Sequence, residues 1–325
     1  MIPNQWYAVI ESKKINSKKP LGLRRFGEKI VLWRNEQGEV VCFPDRCSHR
    51  GAELSTGKIV NNCIECPYHG LQFDSHGTCR VIPANGKNAP VPPAFNMPYY
   101  AVREAHGLIW VWYGKLREEY PPIPWIEKPG MSVQGVFSAE LSKEVPLHYS
   151  RFIEGSLDIH HIHFVHNSLI PGIGNFVESN EVTLKDDLLE INGKVRQEDR
   201  PHTNGVPMKI ALRFPNVIYA EFSSKLFGIG IMTPIDDSNC WFFAKYYQSH
   251  IKIPVIGQLF ISLFSVMNWE VIQKRQDIPQ MLGQQPAIPD TRCGYHLFDA
   301  DKVIALYLKR REELKREGIA RAFAA

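Results

Sequence analysis

Alternation of hydrophobic and polar positions in the first third of the chain predicts short β-strands. The segments "EKIVLWR" and "EVVCFP" flank a polar "NEQG" turn and predict a hairpin over 28–43. A further segment, "HGLIWVWYG" at 106–114, alternates like another strand. Because turns rich in Gly, Pro and Asn separate these segments, we expect an all-β domain over 1–118.

A proline-rich segment follows and divides the chain. "YPPIPWIEKPG" at 120–130 carries four prolines, which excludes regular structure there and predicts a linker over 119–130. Beyond it, strand-like segments such as "MKIALRF" and "WFFAKYYQ" precede two predicted helices near 256–282 and 300–317. This order favours an α+β domain over 131–325.

The longest uncharged stretch of the sequence is "IPVIGQLFISLFSVMNW" at 253–269. It is short of the about 20 apolar residues that a membrane-spanning helix needs, and Pro254 and Gly257 interrupt its start. The pattern predicts a buried helix. The alternative is a helix that lies on a membrane surface.

Composition and charge narrow the class of protein. The 325 residues are 44% hydrophobic and 22% charged, as expected of a soluble globular protein of about two domains. The net charge of +4 comes from basic residues that are scattered or lie at the ends, so we expect no nucleic-acid partner. The seven cysteines are an odd number, and the N-terminus lacks the layout of a signal peptide. We therefore expect a reducing cytoplasm and no disulfide framework.

Two short motifs combine cysteine with histidine in the first domain. "RCSHRGAE" supplies Cys47 and His49, and "ECPYHGLQFD" supplies Cys66 and His69. Two thiolates and two imidazoles suit a tetrahedral zinc ion. They equally suit a [2Fe–2S] cluster in which two cysteines bind one iron and two histidines bind the other.

A second group of metal-binding residue types lies in "SLDIHHIHFVHNS" at 156–168, with four histidines and one aspartate. Residues three or four apart share a face of a helix. Spacing alone therefore favours His160 with His163, or His163 with His166. It does not decide which of them bind a metal.

The cysteine–histidine motifs resemble those of the Rieske non-haem iron oxygenases. "CSHRGA" and "CPYHG" match the two cluster loops of Rieske proteins in composition, order and spacing. The resemblance implies a [2Fe–2S] cluster with the two cysteines on one iron and the two histidines on the other. Ala52 and Tyr68 stand where respiratory Rieske proteins carry bridging cysteines. Because alanine and tyrosine replace these cysteines, the resemblance favours the oxygenase and ferredoxin branch of the Rieske proteins.

The same resemblance selects ligands for a second metal, a mononuclear Fe(II). "DIHHIHFVH" matches the Asp-x-x-His-x-x-x-x-His motif of the catalytic subunits, which implies that His161 and His166 bind the iron. Asp158 corresponds to an aspartate that bridges the two metals between subunits. Asp277, within "VIQKRQDIPQMLGQQPA", corresponds to the third ligand, and Glu270 is its nearest competitor.

Some residues near these motifs depart from the pattern or fall outside it. His160 and His163 are expected to be structural neighbours of the ligands. Gly155 stands where the family often has asparagine, and the preceding Glu154 could turn inward towards the metal. The five-residue gap between the two ligand histidines requires an irregularity in the helix.

The resemblance implies a fold and a function for nearly the whole chain. We expect a Rieske domain followed by a helix-grip (START-like) catalytic domain with an antiparallel sheet, assembled as a homotrimer. Its function would be that of a terminal oxygenase, which takes NAD(P)H electrons through a separate ferredoxin and/or flavin-dependent reductase. With O2 it would hydroxylate or demethylate a small, largely apolar organic substrate. The alternatives are a desaturase or oxidative cyclase, or an electron-transfer or sensor protein with a vestigial second iron site.

Overall fold

The computed structural model describes residues 1–128, 131, 135–200 and 205–323. The chain forms two compact units, the first comprising Pro3–Ile123 with Met1, and the second comprising Ile2 and the chain from Pro124 onward. The division falls inside the predicted linker 119–130. The last two residues of that linker, and residues 132–134 of the predicted second domain, lie outside the described residues.

The first unit consists of short strands in three antiparallel sheets, with the orders β1-β10-β9, β2-β3-β4 and β5-β6-β7-β8. The strands are β1 (Gln5–Glu11), β2 (Leu21–Arg25), β3 (Glu28–Arg34), β4 (Val40–Pro44), β5 (Lys58–Val60), β6 (Cys63–Glu65), β7 (Gln72–Phe73), β8 (Cys79–Val81), β9 (Val102–Ala105) and β10 (Leu108–Tyr113). The predicted hairpin is β3 and β4, and the predicted strand at 106–114 is β10. The all-β prediction is confirmed.

Strand β3 contributes to two separate hydrophobic cores of this unit. Successive side chains of a strand point to opposite faces of the sheet. Ile30 and Leu32 accordingly join one core, whereas Val31 and Trp33 join the other. The second core also contains both predicted cluster cysteines. The cluster loops are therefore anchored in packed apolar side chains at their base.

The second unit is built on a seven-stranded antiparallel sheet of order β11-β17-β16-β15-β14-β13-β12. Its strands are β11 (Phe137–Val145), β12 (Phe176–Lys185), β13 (Leu188–Arg196), β14 (Val206–Arg213), β15 (Val217–Ser223), β16 (Leu226–Pro234) and β17 (Cys240–Gln248). Its helices are α1 (Tyr149–Leu157), α2 (His161–Val165), α3 (Pro254–Met267), a π-helix (Asn268–Asp277), α4 (Ile278–Gly283) and α5 (Lys302–Phe323). The predicted α+β class is confirmed.

The helices of the second unit pack against defined parts of this sheet. α1 contacts β14 and β16 and also touches α4 and α5. α5 lies against β12 and β13, and α3 lies against β11 and β17. α3, the π-helix and α4 follow one another without a break, which accounts for the single helix predicted over 256–282.

The prediction that 253–269 forms a buried helix is wrong. α3 turns Gly257, Ile261 and Ser265 towards the sheet, and these recur every four residues on one face. The larger apolar side chains face outward, with Leu259 at 58% and Leu263 at 61% exposure. Gly257 and Ser265 are small and allow close packing of α3 on the sheet. By length and composition, the helical stretch Pro254–Gly283 could cross a membrane.

Candidate metal centres and substrate cavity

The two cysteine–histidine motifs form loops of the same backbone design. In each loop the N–H of the cysteine donates to the carbonyl five residues later, at 2.9 Å for Cys47 and 2.8 Å for Cys66. The N–H of a glycine four residues after the cysteine donates back to the cysteine carbonyl, at 2.9 Å for Gly51 and 3.0 Å for Gly70. Both glycines have a positive φ, 78° and 72°, which other residues rarely adopt.

The side chains of these loops separate into an inner and an outer pair. Cys47 and Cys66 are 3% and 2% exposed, and their thiols contact each other. Burial raises the pKa of the Cys47 thiol to about 11. His49 and His69 are exposed, with ring centroids 4.7 Å apart. Two buried sulfurs behind two solvent-facing imidazoles fit a [2Fe–2S] cluster held by both residue types. All seven cysteines are free thiols, so no disulfide joins the loops.

A break between α1 and α2 sets the positions of the second group of histidines. Asp158 ends α1 in an extended conformation, and its Oδ1 accepts from the backbone N–H groups of His160 at 2.8 Å and His161 at 3.3 Å. His161 is thereby the first residue of α2. His166 lies just past the end of α2 with φ −108°. The irregularity required by the five-residue gap therefore lies at the two ends of α2.

His161, His166 and Asp277 converge on one point of the second unit. Each offers a ligand atom, and these atoms all lie within 4.8 Å of one another. The Oδ1 atom of Asp277 is 3.6 Å from His161 Nε2 and 3.1 Å from His166 Nε2. This Oδ1 is buried and has no hydrogen-bond donor among the described residues. A buried anionic oxygen facing two imidazole nitrogens fits a divalent metal ion.

Two glutamines hold this group in position, and the sequence analysis did not identify them. Gln276 Oε1 lies 2.9 Å from His166 Nδ1, an arrangement that assigns the proton to Nδ1 and leaves Nε2 free to bind a metal. Gln273 Nε2 donates to Asp277 Oδ2 at 3.0 Å. The spacing of Gln273 and Asp277, four residues apart on a predicted helix, was the one available signal.

The π-helix explains how these residues reach the site together. A π-helix is rare and is found frequently at functional sites. Here it carries both glutamines and ends at Asp277, whose side chain is directed inward. Glu270, the competing third ligand, lies on the same helix but pairs with Lys274 at 3.0 Å.

Electrostatics favour an ionised carboxylate between the two imidazoles. Burial raises the pKa of Asp277, but the adjacent imidazoles of His161 and His166 outweigh it and lower that pKa below its usual value. Burial likewise opposes protonation of His161, while Asp277 and Asp158 raise its pKa overall. The Oδ1 atom of Asp277 faces both imidazoles, and an ionised carboxylate oxygen in this position suits a cation.

The other two histidines of the motif have different surroundings. The ring of His160 packs against Phe164 and Phe298, with centroids 5.3 and 5.5 Å apart. His163 packs edge-on against Phe164, and its Nδ1 is buried without a hydrogen-bond partner among the described residues. Neither belongs to the group formed with Asp277.

A cavity of about 490 Å³ opens beside the convergent group. Its lining is mostly apolar and includes Phe152, Ile162, Ile218, Phe242, Phe264 and Met267. One buried amide stands out, that of Asn268, which is 3% exposed. Tyr246 donates its hydroxyl to Asn268 Oδ1 at 2.6 Å, while the Nδ2 donor has no partner within the described part of the chain.

Comparisons with known proteins identify the first unit. Residues 5–100 match the Rieske [2Fe-2S] domain. The chain is 33% identical over 164 residues to the chloroplastic protein TIC 55 of Arabidopsis thaliana, covering 50% of this chain and 30% of that protein. It is 32% identical over 173 residues to the aminopyrrolnitrin oxygenase PrnD of Pseudomonas fluorescens, covering 50% and 45%. The matches thus span less than half the length of these two relatives.

The whole chain also has a structural counterpart. It superposes on the crystal structure of dicamba monooxygenase bound to dicamba with a TM-score of 0.75 and 20% identity, covering 98% of this chain and 99% of that one. The likeness extends through both units and establishes a common fold. This chain therefore contains a domain of the Rieske [2Fe-2S] family. Its first unit is the domain that carries the [2Fe–2S] cluster in this family.

Two residues depart from the pattern that the resemblance implied for the second unit. A Cβ on Gly155 would lie 2.5 Å from the sulfur of Met281, so α4 fills the space where the family often has an asparagine side chain. Glu154 does turn inward, but towards Arg151 at 2.7 Å, and it is not part of the group around Asp277. Burial raises the pKa of Glu154 to about 7, although Arg151 opposes this shift.

Proposed function

We propose that the chain is the terminal oxygenase component of a Rieske non-haem iron system. The observation that carries the proposal is the convergence of His161, His166 and Asp277 at the wall of an apolar cavity, in a chain that also contains a Rieske domain. Two imidazoles and a carboxylate on one side of a ferrous ion leave its other positions open. Iron bound there would supply the activation of O2.

The residues around the proposed iron site have separate roles. His161 and His166 would bind the metal through Nε2, and Asp277 would bind through Oδ1. Gln276 would keep His166 in the required tautomer, and Gln273 would fix the rotation of the carboxylate, since each contacts the atom that does not face the metal. The positions of the ligands would therefore be set before the metal arrives.

The proposed substrate is a small, largely apolar organic molecule that carries a hydrogen-bond acceptor. The cavity offers mostly hydrocarbon walls, and binding there is stabilised by removing apolar surface from water. Asn268 Nδ2 would donate to a carbonyl, ether or hydroxyl oxygen of the substrate. Such a bond within an apolar site would orient the molecule towards the iron for hydroxylation or demethylation.

The proposed electron donor is a separate ferredoxin or flavin-dependent reductase. The histidine side of the cluster site is open to solvent, and the exposed Arg46 and Arg50 flank His49 in the same loop. These positive charges would steer an acidic donor to the cluster. We place the protein in the cytoplasm, because an odd number of cysteines suits a reducing compartment.

The proposed assembly is a closed trimer in which the cluster of one subunit faces the iron of the next. Asp158 supports this arrangement, because backbone N–H groups hold its Oδ1 while Oδ2 lies 3.7 Å from His161 Nδ1. The side chain of Asp158 is still 36% exposed. It would thus be available to accept a hydrogen bond from His69 of a neighbouring copy.

A single-turnover experiment with ¹⁸O2 tests the proposed function. The reduced protein would be exposed to ¹⁸O2 with a panel of apolar compounds bearing an oxygen acceptor, and products would be examined by mass spectrometry. We expect an ¹⁸O-labelled or demethylated product from the wild type and from Glu270→Ala, but none from Asp277→Ala. An unlabelled product that has lost two hydrogens would instead support a desaturase. Identical oxidation by wild type and Asp277→Ala would contradict the proposal.

A further inference from the structure

The outer face of α3 is a continuous exposed apolar surface. Its side chains are 51–78% exposed and belong to Ile253, Val255, Ile256, Leu259, Leu263 and Val266. We call these six residues the α3 apolar face. Soluble monomers rarely leave a contiguous apolar patch of more than a few hundred Å² uncovered, and larger ones mark contact with a protein or a membrane.

The inner face of α3 is fixed to its own sheet, which excludes a membrane-spanning position. A Cβ on Gly257 would lie 2.5 Å from the carbonyl of Ile251 and 2.6 Å from the ring of Phe137. Gln258 Nε2 donates to the carbonyl of Ser138 at 3.0 Å, and Gln248 donates to the carbonyl of Gly257 at 3.2 Å. The apolar stretch also leads directly into the π-helix that bears the buried Asp277. α3 therefore presents one face outward while the other stays packed.

Basic side chains lie at both ends of the α3 apolar face. Lys252 directly precedes the helix and is exposed, and exposed Lys225 adjoins this end because its carbonyl accepts from Ser249 N–H at 3.0 Å. At the other end Lys274 and Arg275 are exposed on the following π-helix, where Lys274 pairs with Glu270. An apolar strip between cations matches the headgroup and acyl layers of a bilayer that contains anionic lipid.

The same charges disfavour a two-fold pairing of this chain through the α3 apolar face. A two-fold interface brings identical patches together. If the two helices ran antiparallel, Lys252 of one copy would meet Arg275 of the other. If they ran parallel, like ends would meet. Either arrangement sets cation against cation, whereas anionic lipid headgroups would neutralise both ends.

We propose that α3 docks the protein on the surface of an anionic membrane, with the α3 apolar face inserted among the acyl chains and the flanking lysines and arginine at the headgroups. The helix lies in the plane of the membrane surface and does not cross it. This inference is independent of the proposed oxygenase function, because it rests only on the surface of the second unit.

Co-sedimentation of the iron-loaded protein with lipid vesicles tests the docking. Vesicles of phosphatidylcholine alone would be compared with vesicles containing phosphatidylserine, and the wild type is expected to bind the second kind more tightly. Leu259→Gln/Leu263→Gln should lower the partition coefficient about tenfold or more, since binding scales with buried apolar area. Lys225→Ala/Lys252→Ala should remove most of the preference for phosphatidylserine.

A matched control substitutes a leucine of similar exposure elsewhere. Leu116 is 47% exposed and lies in the first unit, so Leu116→Gln should bind vesicles as the wild type does. The cluster absorption spectrum and circular dichroism confirm that each variant is folded. Equal binding by the wild type and Leu259→Gln/Leu263→Gln, or no binding by the wild type, would overturn the proposal. Self-association of the wild type that this double variant abolishes, without vesicle binding, would assign the face to a second copy.

Discussion

His161 and His166 meet the same carboxylate although they lie five positions apart in the sequence. An ideal helix would turn them to different sides, and helical spacing favoured other histidine pairs. The Asp158 turn and the non-helical His166 bring them together, and these are backbone features that residue spacing does not reveal. A family resemblance therefore selected the residues that converge. Asn268 and the two glutamines were missed because their importance depends on a cavity and a π-helix that form only in the fold.

The pKa of Glu154 predicts a pH dependence of stability at the residue scale. Burial raises this pKa from 4.5 to about 7, so the folded state binds the proton more tightly than the unfolded state. The contribution of this group to stability is therefore greatest at low pH and is lost as pH rises from about 4.5 to about 7. Glu154→Gln cannot titrate. Between about pH 4.5 and pH 8, the free energy of unfolding of the wild type should fall by about 3 kcal/mol relative to that of the variant.

Urea unfolding of both proteins at the two pH values measures this difference, and effects of other groups cancel in the comparison. Glu140→Gln, at an exposed position of β11 where Glu140 lies 3.9 Å from Lys245, serves as the control and should follow the wild type. A constant difference between wild type and Glu154→Gln across the range would show that folding does not raise the pKa of Glu154.

At the scale of elements, the π-helix determines the direction in which Asp277 points. Each residue of an α-helix turns the chain by about 100°, so removing one residue from the π-helix would let it relax and rotate Asp277 relative to Asn268. Deleting Val271, which is half-buried, should release the metal that the site holds while leaving the cluster spectrum intact. Val271→Ala is the matched control and should retain it. Metal analysis distinguishes the two, and retention by the deletion variant would show that the π-helix is not needed.

The strands were predictable because alternation is a direct consequence of one buried and one exposed face, as in β3. α3 was predicted wrongly for a related reason. An apolar stretch is normally assigned to the interior, yet here Gly257, Ile261 and Ser265 form the inner face and larger apolar residues face outward. Which side of an apolar helix is covered depends on the rest of the fold and on a partner, and neither can be deduced from the stretch itself.

At the scale of the whole molecule, mixing two defective chains tests whether electrons pass between subunits. Cys66→Ser removes a cluster ligand and Asp277→Ala removes an iron ligand, so each is expected to be inactive alone. In a head-to-tail trimer, every mixed ring has one junction where an intact cluster faces an intact iron site. Random equal mixing should therefore restore about a quarter of wild-type activity.

Transfer within one chain predicts no recovery in the same mixture. Asp158→Asn separates the role of the bridge from that of the ligands, since it should keep both metals and yet transfer electrons slowly. If the mixture shows no activity although subunit exchange and both metals have been verified, the proposed trimer junction is contradicted.

Iron content per chain tests the central claim most directly, because it depends on both metal sites and on no knowledge of the substrate. We predict about three irons per wild-type chain, two in the cluster and one mononuclear. Asp277→Ala should contain about two, with an unchanged cluster spectrum, and Glu270→Ala should again contain about three. A wild-type protein with two irons, or an Asp277→Ala variant that keeps three, would contradict the assignment of His161, His166 and Asp277 as an iron site.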